Sequence, residues 1–411
     1  MEGKKDLQQL VAVCASTVCA GILLYRSYSS ARAQKEKEIE RKRRTKLAQA
    51  RVWESYESLD EKDVTIRKKR LASFSMERRS VTVQVPATTA NMGSGYDCLG
   101  MALDMWNELT VERSDKFEIV AHGEGADKLP LDKTNLVVVG LEAAFKAAGK
   151  PVPPLKYIMS NRIPYGRGLG SSSAAIVAGI LAGLALAGRK LEVQGKEAVL
   201  QIATEIEGHP DNVAPAMYGG IQLGIFSEEE NRWATERLPL PHGLIFVMFI
   251  PESVGKTEEL RKVVPKQVSL TDAVYNMSRL AWFINALNTG KVENFREGLG
   301  DRLHQPYRAA AVHKHLNPMM KAAYEAGAHG AYLSGSGPVV MAITSGGAGD
   351  YFTQAQEHSP DIKVARAMSK VAKELDIAGK VYITHPTNTG GVIVSADPPY
   401  SNELVEFNGG T

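Results

Sequence analysis

From residue 81 onward the chain moves between two hydrophobic periods. Residues 81–85, Val-Thr-Val-Gln-Val, alternate apolar with polar side chains, the period of a half-buried strand, and Pro86 predicts its end. Strand-like runs also cover residues 108–113, 117–121, 155–163, 221–226 and 244–250. Helical spacing marks residues 136–148 and 197–207, the second closed by Gly208 and Pro210. Residues 174–186 are apolar throughout and rich in small side chains, which predicts a buried helix. In residues 271–287, Val274, Met277, Leu280, Ala281, Ile284 and Leu287 fall on one stripe expected to face the core. Strands precede helices instead of alternating strictly with them, so the expected class is α+β and not a doubly wound sheet. The polar turn at residues 227–232 sets a boundary near residue 230, giving expected divisions 1–80, 81–230 and 231–411.

The first division has a different character. Residues 7–25 are mostly apolar and uncharged, with Lys4, Lys5 and Asp6 before them and Arg26 after. Their length is near the lower limit of a membrane span, about 17–25 residues, and exceeds a secretory apolar core of about 7–15. A membrane anchor touching lipid through residues 7–25, a cleaved targeting element and a buried globular helix all stand. In residues 26–80, 17 Lys and Arg face 9 Asp and Glu, so the net +3 of the chain is local and the remainder is mildly acidic. Such a run attracts anionic lipid or serves as a solvated linker. No aromatic platform accompanies it, so nucleic acid is not an expected partner. Only Cys14, Cys19 and Cys98 occur, which excludes a disulfide framework or zinc spacing and suits a reducing compartment.

The chemistry centres on residues 164–173, Pro-Tyr-Gly-Arg-Gly-Leu-Gly-Ser-Ser-Ser. Gly166, Gly168 and Gly170, alternating with Arg167 and Leu169, uncover backbone N–H groups just before Ser171, Ser172, Ser173 and the apolar helix. The amino end of a helix carries unpaired N–H groups and the positive end of the dipole, so such a loop favours phosphate. A serine-capped glycine turn is the plainer reading of the same residues. The stretch lacks the Lys-Ser/Thr of a Walker loop and the acidic residue about twenty positions on that marks a dinucleotide fingerprint. A nucleotide triphosphate loop of another type remains. Asn91 and Asp97 sit on a second glycine-rich loop, either converging on a small polar ligand or satisfying their own backbone. Glu205, Glu207, His209 and Asp211 lie close together, and carboxylates beside a serine-bearing phosphate loop suit Mg²⁺, which takes one or two protein oxygens. His209 is a ligand, a base or a hydrogen-bonded loop residue. Thr257 and Arg261, four apart, share one helical face or one loop. Ser334-Gly-Ser-Gly-Pro338 interrupts an apolar strand-like run, which implies close backbone approach.

Taken in order, Pro-x₃-Ala-Asn-x-Gly-x-Gly-x-Asp-x-Leu-Gly at 86–100, Pro-x₃-Gly-Leu-Gly-Ser-Ser at 164–172 and Ser-Gly-Ser-Gly-Pro at 334–338 resemble the three motifs of the GHMP kinases, over residues 81–396. The resemblance implies two α+β lobes, the first like the second domain of ribosomal protein S5 and the second ferredoxin-like, preceded here by a hydrophobic and basic extension. It also implies a site between the lobes, ATP, Mg²⁺ and a homodimer. ATP would be held by Pro164, Gly166, Arg167, Gly168, Leu169, Gly170, Ser171, Ser172 and Ser173, and Mg²⁺ by Ser172 and Glu205, with Glu207 as the alternate. Residues 209–215, Thr257 with Arg261, and Pro306-Tyr-Arg308 are similar to the homoserine kinase branch, a step of threonine synthesis. That implies L-homoserine as acceptor, its amino end on Asn91 and Asp97, its carboxylate on Arg261 and Arg308, with Thr257, His209 and the Gly335 backbone nearby. The charges agree, since an amino acid needs a carboxylate for its ammonium and a guanidinium fork for its carboxylate. Asp211 is the candidate base and Asn212 the candidate stabiliser of the transition state; alternatively the γ-phosphate takes the proton itself. A mevalonate- or shikimate-type kinase and a non-catalytic tethered sensor are the rival readings. Met92, Ser94 and Tyr96 stand where Leu, Pro and Phe are common in the family. Because this step is usually plastidic in photosynthetic eukaryotes, the extension fits an organelle presequence as well as an anchor, with a cytoplasmic location as the alternative.

Overall fold

The alternation that begins at Val81 becomes β1 (Ser80–Ala90), a strand near the middle of a seven-stranded sheet. The computed structural model describes residues 78–188, 193–255, 257–346 and 359–399, without the side chains of 193–196, 257 and 258. All of these belong to one unit, Ser73–Asn402. The anchor, targeting and linker readings of residues 1–77 lie outside the described residues, among which no helix is long and apolar enough to cross a membrane.

Pro86 does not end β1. The partner strand β2 (Leu99–Arg113) carries two extra residues there, since Pro86 faces Trp106 while Ala87 faces Leu103. The irregularity absorbs the missing proline N–H, and pairing resumes to Ala90. β2 is long enough to fork. Its second half pairs with β4 (Leu155–Asn161), which runs parallel to β3 (Glu118–Gly123), while its first three residues pair with β5 (Ile221–Ser227). The polar turn where the sequence divides is the tip of the hairpin from β5 to β6 (Arg232–Leu238), and β11 (Val392–Asp397) returns to pair with β1. The amino-terminal lobe therefore takes in both ends of the described chain. Against this sheet pack α2 (Ser171–Leu186), α3 (Val193–Glu207) and α4 (Pro210–Tyr218), with α1 (Leu136–Ala147) laid against α2. The all-apolar run is α2, buried from Ser173 to its end except at Ala175, as its pattern demands. α1 lies so close that a Cβ on Gly179 would sit 2.1 Å from the Val137 carbonyl oxygen.

The second lobe is a four-stranded antiparallel sheet of β7 (Leu244–Pro251), β8 (Gly330–Leu333), β9 (Val340–Ser345) and β10 (Gly379–Thr384), ordered β10-β7-β9-β8. Numbered along the lobe this is 4-1-3-2, the ferredoxin-like order. α9 (Leu316–Glu325) and α10 (Pro360–Glu374) cover one face, burying Val247, Phe249, Val340 and Ala342 of the strands with Leu316, Met319, Val364 and Met368. The opposite side chains, Phe246, Met248, Met341 and Ile343, join the main core.

Three shorter helices, α5 (Thr257–Lys262), α7 (Phe295–Gly298) and α8 (Gln305–Ala311), flank the longer α6 (Leu270–Thr289). The stripe expected to face the core in α6 does so only in part. Val274 and Met277 are 51% and 62% exposed, whereas Leu280 packs against the core and Leu287 is buried, together with Asn276, Phe283 and Ala286 from outside the stripe. Buried Asn276 explains the misreading: it bonds Asp301 and the Arg302 N–H, so the inward face contains a polar residue that apolar counting passes over.

Candidate active site

The three glycine-bearing motifs meet. Gly166, Gly168 and Gly170 all take left-handed backbone angles, and two of them have no room for a side chain. A Cβ on Gly168 would lie 2.2 Å from the Ser334 carbonyl oxygen, and one on Gly170 1.8 Å from Thr88 Oγ1. Glycine is thus required twice over, for conformation and for contact. Leu169 anchors the loop, its side chain buried and its carbonyl accepting from the Thr88 N–H at 3.1 Å. Gly170 stands at the amino end of α2, whose first turn, Ser171 to Ser173, presents the N–H groups that helix geometry leaves unpaired.

A cavity of about 410 Å³ opens over this end. Gly166, Arg167, Gly168, Gly170, Ser171 and Ser172 line it, with Asn91, Glu207, His209, Asn212, Arg261, Arg308 and Gly335. Pro164, Leu169 and Ser173 lie buried behind the lining. Ser172 Oγ and Ser173 Oγ both donate to Glu207 Oε1, at 2.8 and 2.9 Å. Glu205 is exposed and bonds neither serine, so of the expected metal residues it is the alternate, Glu207, that stands against Ser172. Two residues along a helix turn the side chain by about 200°, so only one of the two glutamates can face Ser172. A hydroxyl and a carboxylate oxygen at the mouth of a phosphate loop fit a hard, oxygen-seeking cation.

The junction after α3 is not a loop, because Pro210 starts α4 directly, at the position where a proline costs no hydrogen bond. This puts Asp211 and Asn212 in a first helical turn. Asp211 is buried, with Oδ1 in a short contact to His209 Nδ1 and no hydrogen-bond donor on Oδ2. Burial, the largest influence, works against a charged His209, but the hydrogen bond and charge of Asp211 outweigh it and hold the imidazole above its ordinary value. Asn212 Oδ1 accepts from Thr88 Oγ1 at 2.7 Å, which turns its amide toward Asp211. Thr88 carries no signal in the sequence; only the strand running on past Pro86 places it here.

At the other end Asn91 and Asp97 both have left-handed backbones, and Asn91 Oδ1 caps the Asp97 N–H at 2.8 Å. Asp97 pairs with Arg261 through both oxygens, at 2.8 and 3.2 Å. Arg308 is 1% exposed. Its guanidinium donates to the Gly335 carbonyl at 3.0 Å and to His304 Nδ1 at 3.1 Å. Since arginine cannot accept, His304 carries its proton on Nε2 and gives it to the Gly93 carbonyl at 2.9 Å. Burial, aided by Arg308, lowers the pKa of His304, and burial likewise lowers that of Arg308. Tyr96, where the family often has Phe, stacks on His304 and faces Arg308. Ser94 bonds the Gly298 carbonyl, so the first loop packs onto the second lobe despite lacking the common proline. The Thr257 side chain lies outside the described residues. The apolar far end of the cavity, with Leu129, Leu136, Met159 and Ile163, was not foreseen; single apolar residues on separate elements leave no pattern in sequence.

The descriptions "GHMP kinases N terminal domain" and "GHMP kinases C terminal" match residues 135–220 and 283–374. The chain is 41% identical over 279 residues to the homoserine kinase of Desulfitobacterium hafniense, covering 68% of this chain and 92% of that protein. It is 39% identical over 312 residues to the homoserine kinase of Moorella thermoacetica, covering 76% and 99%. A crystal structure of homoserine kinase from Cytophaga hutchinsonii superposes with a TM-score of 0.66 at 29% identity, covering 78% of this chain and 98% of that one.

Proposed function

The chain belongs to the homoserine kinases of the GHMP kinase family, and on that premise we propose that it transfers the γ-phosphoryl group of ATP to the hydroxyl of L-homoserine, giving O-phospho-L-homoserine. The single observation that carries the acceptor assignment is the arrangement of opposed charges at one end of the cavity, where Arg261 and buried Arg308 line the wall and Asp97 of the first loop pairs with Arg261. A zwitterionic amino acid satisfies both; mevalonate and shikimate supply only a carboxylate.

Phosphoryl transfer asks for in-line placement and charge neutralisation more than for covalent chemistry. The N–H groups of residues 168–173 and the α2 dipole hold the nucleotide phosphates, and the apolar far end of the cavity takes the base. Ser172 and Glu207 would hold Mg²⁺, which supplies neutralisation of the phosphate oxygens when bound. Asp97 and Asn91 orient the ammonium, Arg261 and Arg308 the carboxylate, and His209 closes the acceptor side. Asp211, its Oδ2 without a donor, accepts the hydroxyl proton, while Asn212 stabilises the transferring group. The homodimer implied by the resemblance and a targeting role for residues 1–80 belong to the same proposal. Sedimentation of the Val274→Lys, Met277→Lys chain and the location of a fluorescent fusion to residues 1–80 test these two.

The deciding measurement is ADP release from the full chain with L-homoserine, mevalonate, shikimate or galactose in turn. Turnover with L-homoserine alone, lost in Arg308→Ala, is the expected result; turnover with another acceptor rejects the assignment of Asp97, Arg261 and Arg308.

A further inference from the structure

The turn between α8 and α9 carries two histidines, His313 and His315, that the mechanism above does not use. Both are buried, at 2% and 6% exposure. Their rings meet at 5.7 Å between centroids. His313 Nε2 lies 2.9 Å from the Ser336 carbonyl oxygen and His315 Nε2 2.9 Å from that of Pro338. Carbonyls only accept, so each imidazole carries its proton on Nε2 and donates it. Two residues apart on the turn thus match two acceptors two residues apart on the third glycine motif.

That motif needs such a partner. The ladder between β8 and β9 has its last pair at Leu333 and Val340, leaving the bend between them outside the regular pairing. A Cβ on Gly337 would lie 2.4 Å from His313 Nε2, so the ring occupies the space a side chain would fill. Burial pushes the His313 imidazole down to about 4, with His315 and Arg308 adding repulsion, and burial also lowers His315. Both rings are therefore neutral single donors near neutral pH.

The clamped bend joins the two halves of the cavity. Ahead of it, Gly335 gives its carbonyl to Arg308 at 3.0 Å and its N–H to the Ala90 carbonyl at 2.9 Å. Behind it, the Val339 N–H reaches the Arg167 carbonyl at 3.4 Å, while at its start Ser334 Oγ donates to the Gly168 carbonyl at 2.6 Å. We propose that His313 and His315 are positioning residues for the phosphoryl transfer: His313 fixes the Gly335–Ser336 segment that sets Arg308 against the acceptor carboxylate, and His315 fixes the Pro338–Val339 segment that sets the phosphate loop. The inference rests on the homoserine kinase reading.

The test compares full-length variants that keep or remove the donor. His313→Leu keeps volume without an N–H; His313→Asn is polar but too short; His313→Gln places an amide N–H near the position of Nε2. The expected result is a rise of about tenfold in KM for L-homoserine in the Leu and Asn variants, the loss of one buried hydrogen bond, with most of it recovered in Gln. The corresponding His315 series raises KM for ATP more than KM for L-homoserine. Unchanged KM values with a smaller active fraction or a lower melting temperature would mean the histidines only stabilise the fold, and overturn the inference. A Gln variant as impaired in KM as Leu would overturn the donor role. If the Leu variant does not fold, Asn against Gln decides. A wild-type chain that phosphorylates no L-homoserine rejects the function itself, an outcome distinct from wild-type turnover with indifferent variants.

Discussion

Arg308 sits almost wholly out of water with its guanidinium divided between the Gly335 carbonyl, His304 and the acceptor side of the cavity. Lysine would keep the charge but not the planar fork, so Arg308→Lys is expected to raise KM for L-homoserine at least about tenfold while leaving KM for ATP within about twofold, in steady-state assays. Glu207 and Glu205 separate the metal assignment: Glu207→Gln is expected to lower kcat by roughly a hundredfold and to demand more Mg²⁺, and Glu205→Gln to change neither. His209 offers a test by pH. Its folded pKa is raised by Asp211 above the ordinary 6.5, so the stability this pair contributes is fully present below about 6.5 and is lost as pH rises through the folded value. An NMR titration should place the His209 midpoint above 6.5, and Asp211→Asn should bring it down, because burial then acts without opposition. The glycine, serine and charged residues of the site were legible in sequence because each is tied to a chemical need. Thr88 was not, since a threonine in a strand looks like any other.

Among the elements, α2 shows how backbone geometry and packing compete. Alanine for glycine inside a helix ordinarily gains up to about 1 kcal/mol. At Gly179 the added Cβ would sit 2.1 Å from the Val137 carbonyl of α1, so overpacking of about 1–3 kcal/mol wins. Gly179→Ala is therefore expected to lower the denaturant midpoint, where a surface glycine replacement would raise it. The other elements follow their patterns closely at their centres and depart at their ends. β1 outran the proline that was expected to stop it, because an irregularity in β2 took up the missing donor. α4 began where a loop was expected, because His-Pro-Asp-Asn reads as a helix stop from upstream and as a helix start from downstream. In α6 the periodicity was right and the face was right only toward its end, since Leu280 and Leu287 turn inward while Val274 and Met277 point out and a satisfied asparagine takes their place.

Across the whole molecule the amino-terminal lobe is closed by the far end of the chain. β11 pairs with β1 through five residues, from Ser80 with Asp397 to Gln84 with Val392. A chain ended after Gly391 would expose the β1 edge, and is expected to melt at a markedly lower temperature or aggregate, although every motif of the site is still present. Retention of the full melting temperature would show that the amino-terminal sheet does not need this strand. The sequence by itself determined the local chemistry: a glycine loop before an apolar helix, paired carboxylates and guanidinium groups, and an α+β order of elements. These are short-range properties, set by backbone freedom, charge and hydrophobic period. Only the tertiary structure decided which glutamate faces Ser172, that Thr88 reaches Asn212, that residues 392–397 return to the first sheet, and that two histidines hold the third motif. Each of these joins segments distant in the chain, and no local period records where a strand will find its edge or a carbonyl its donor.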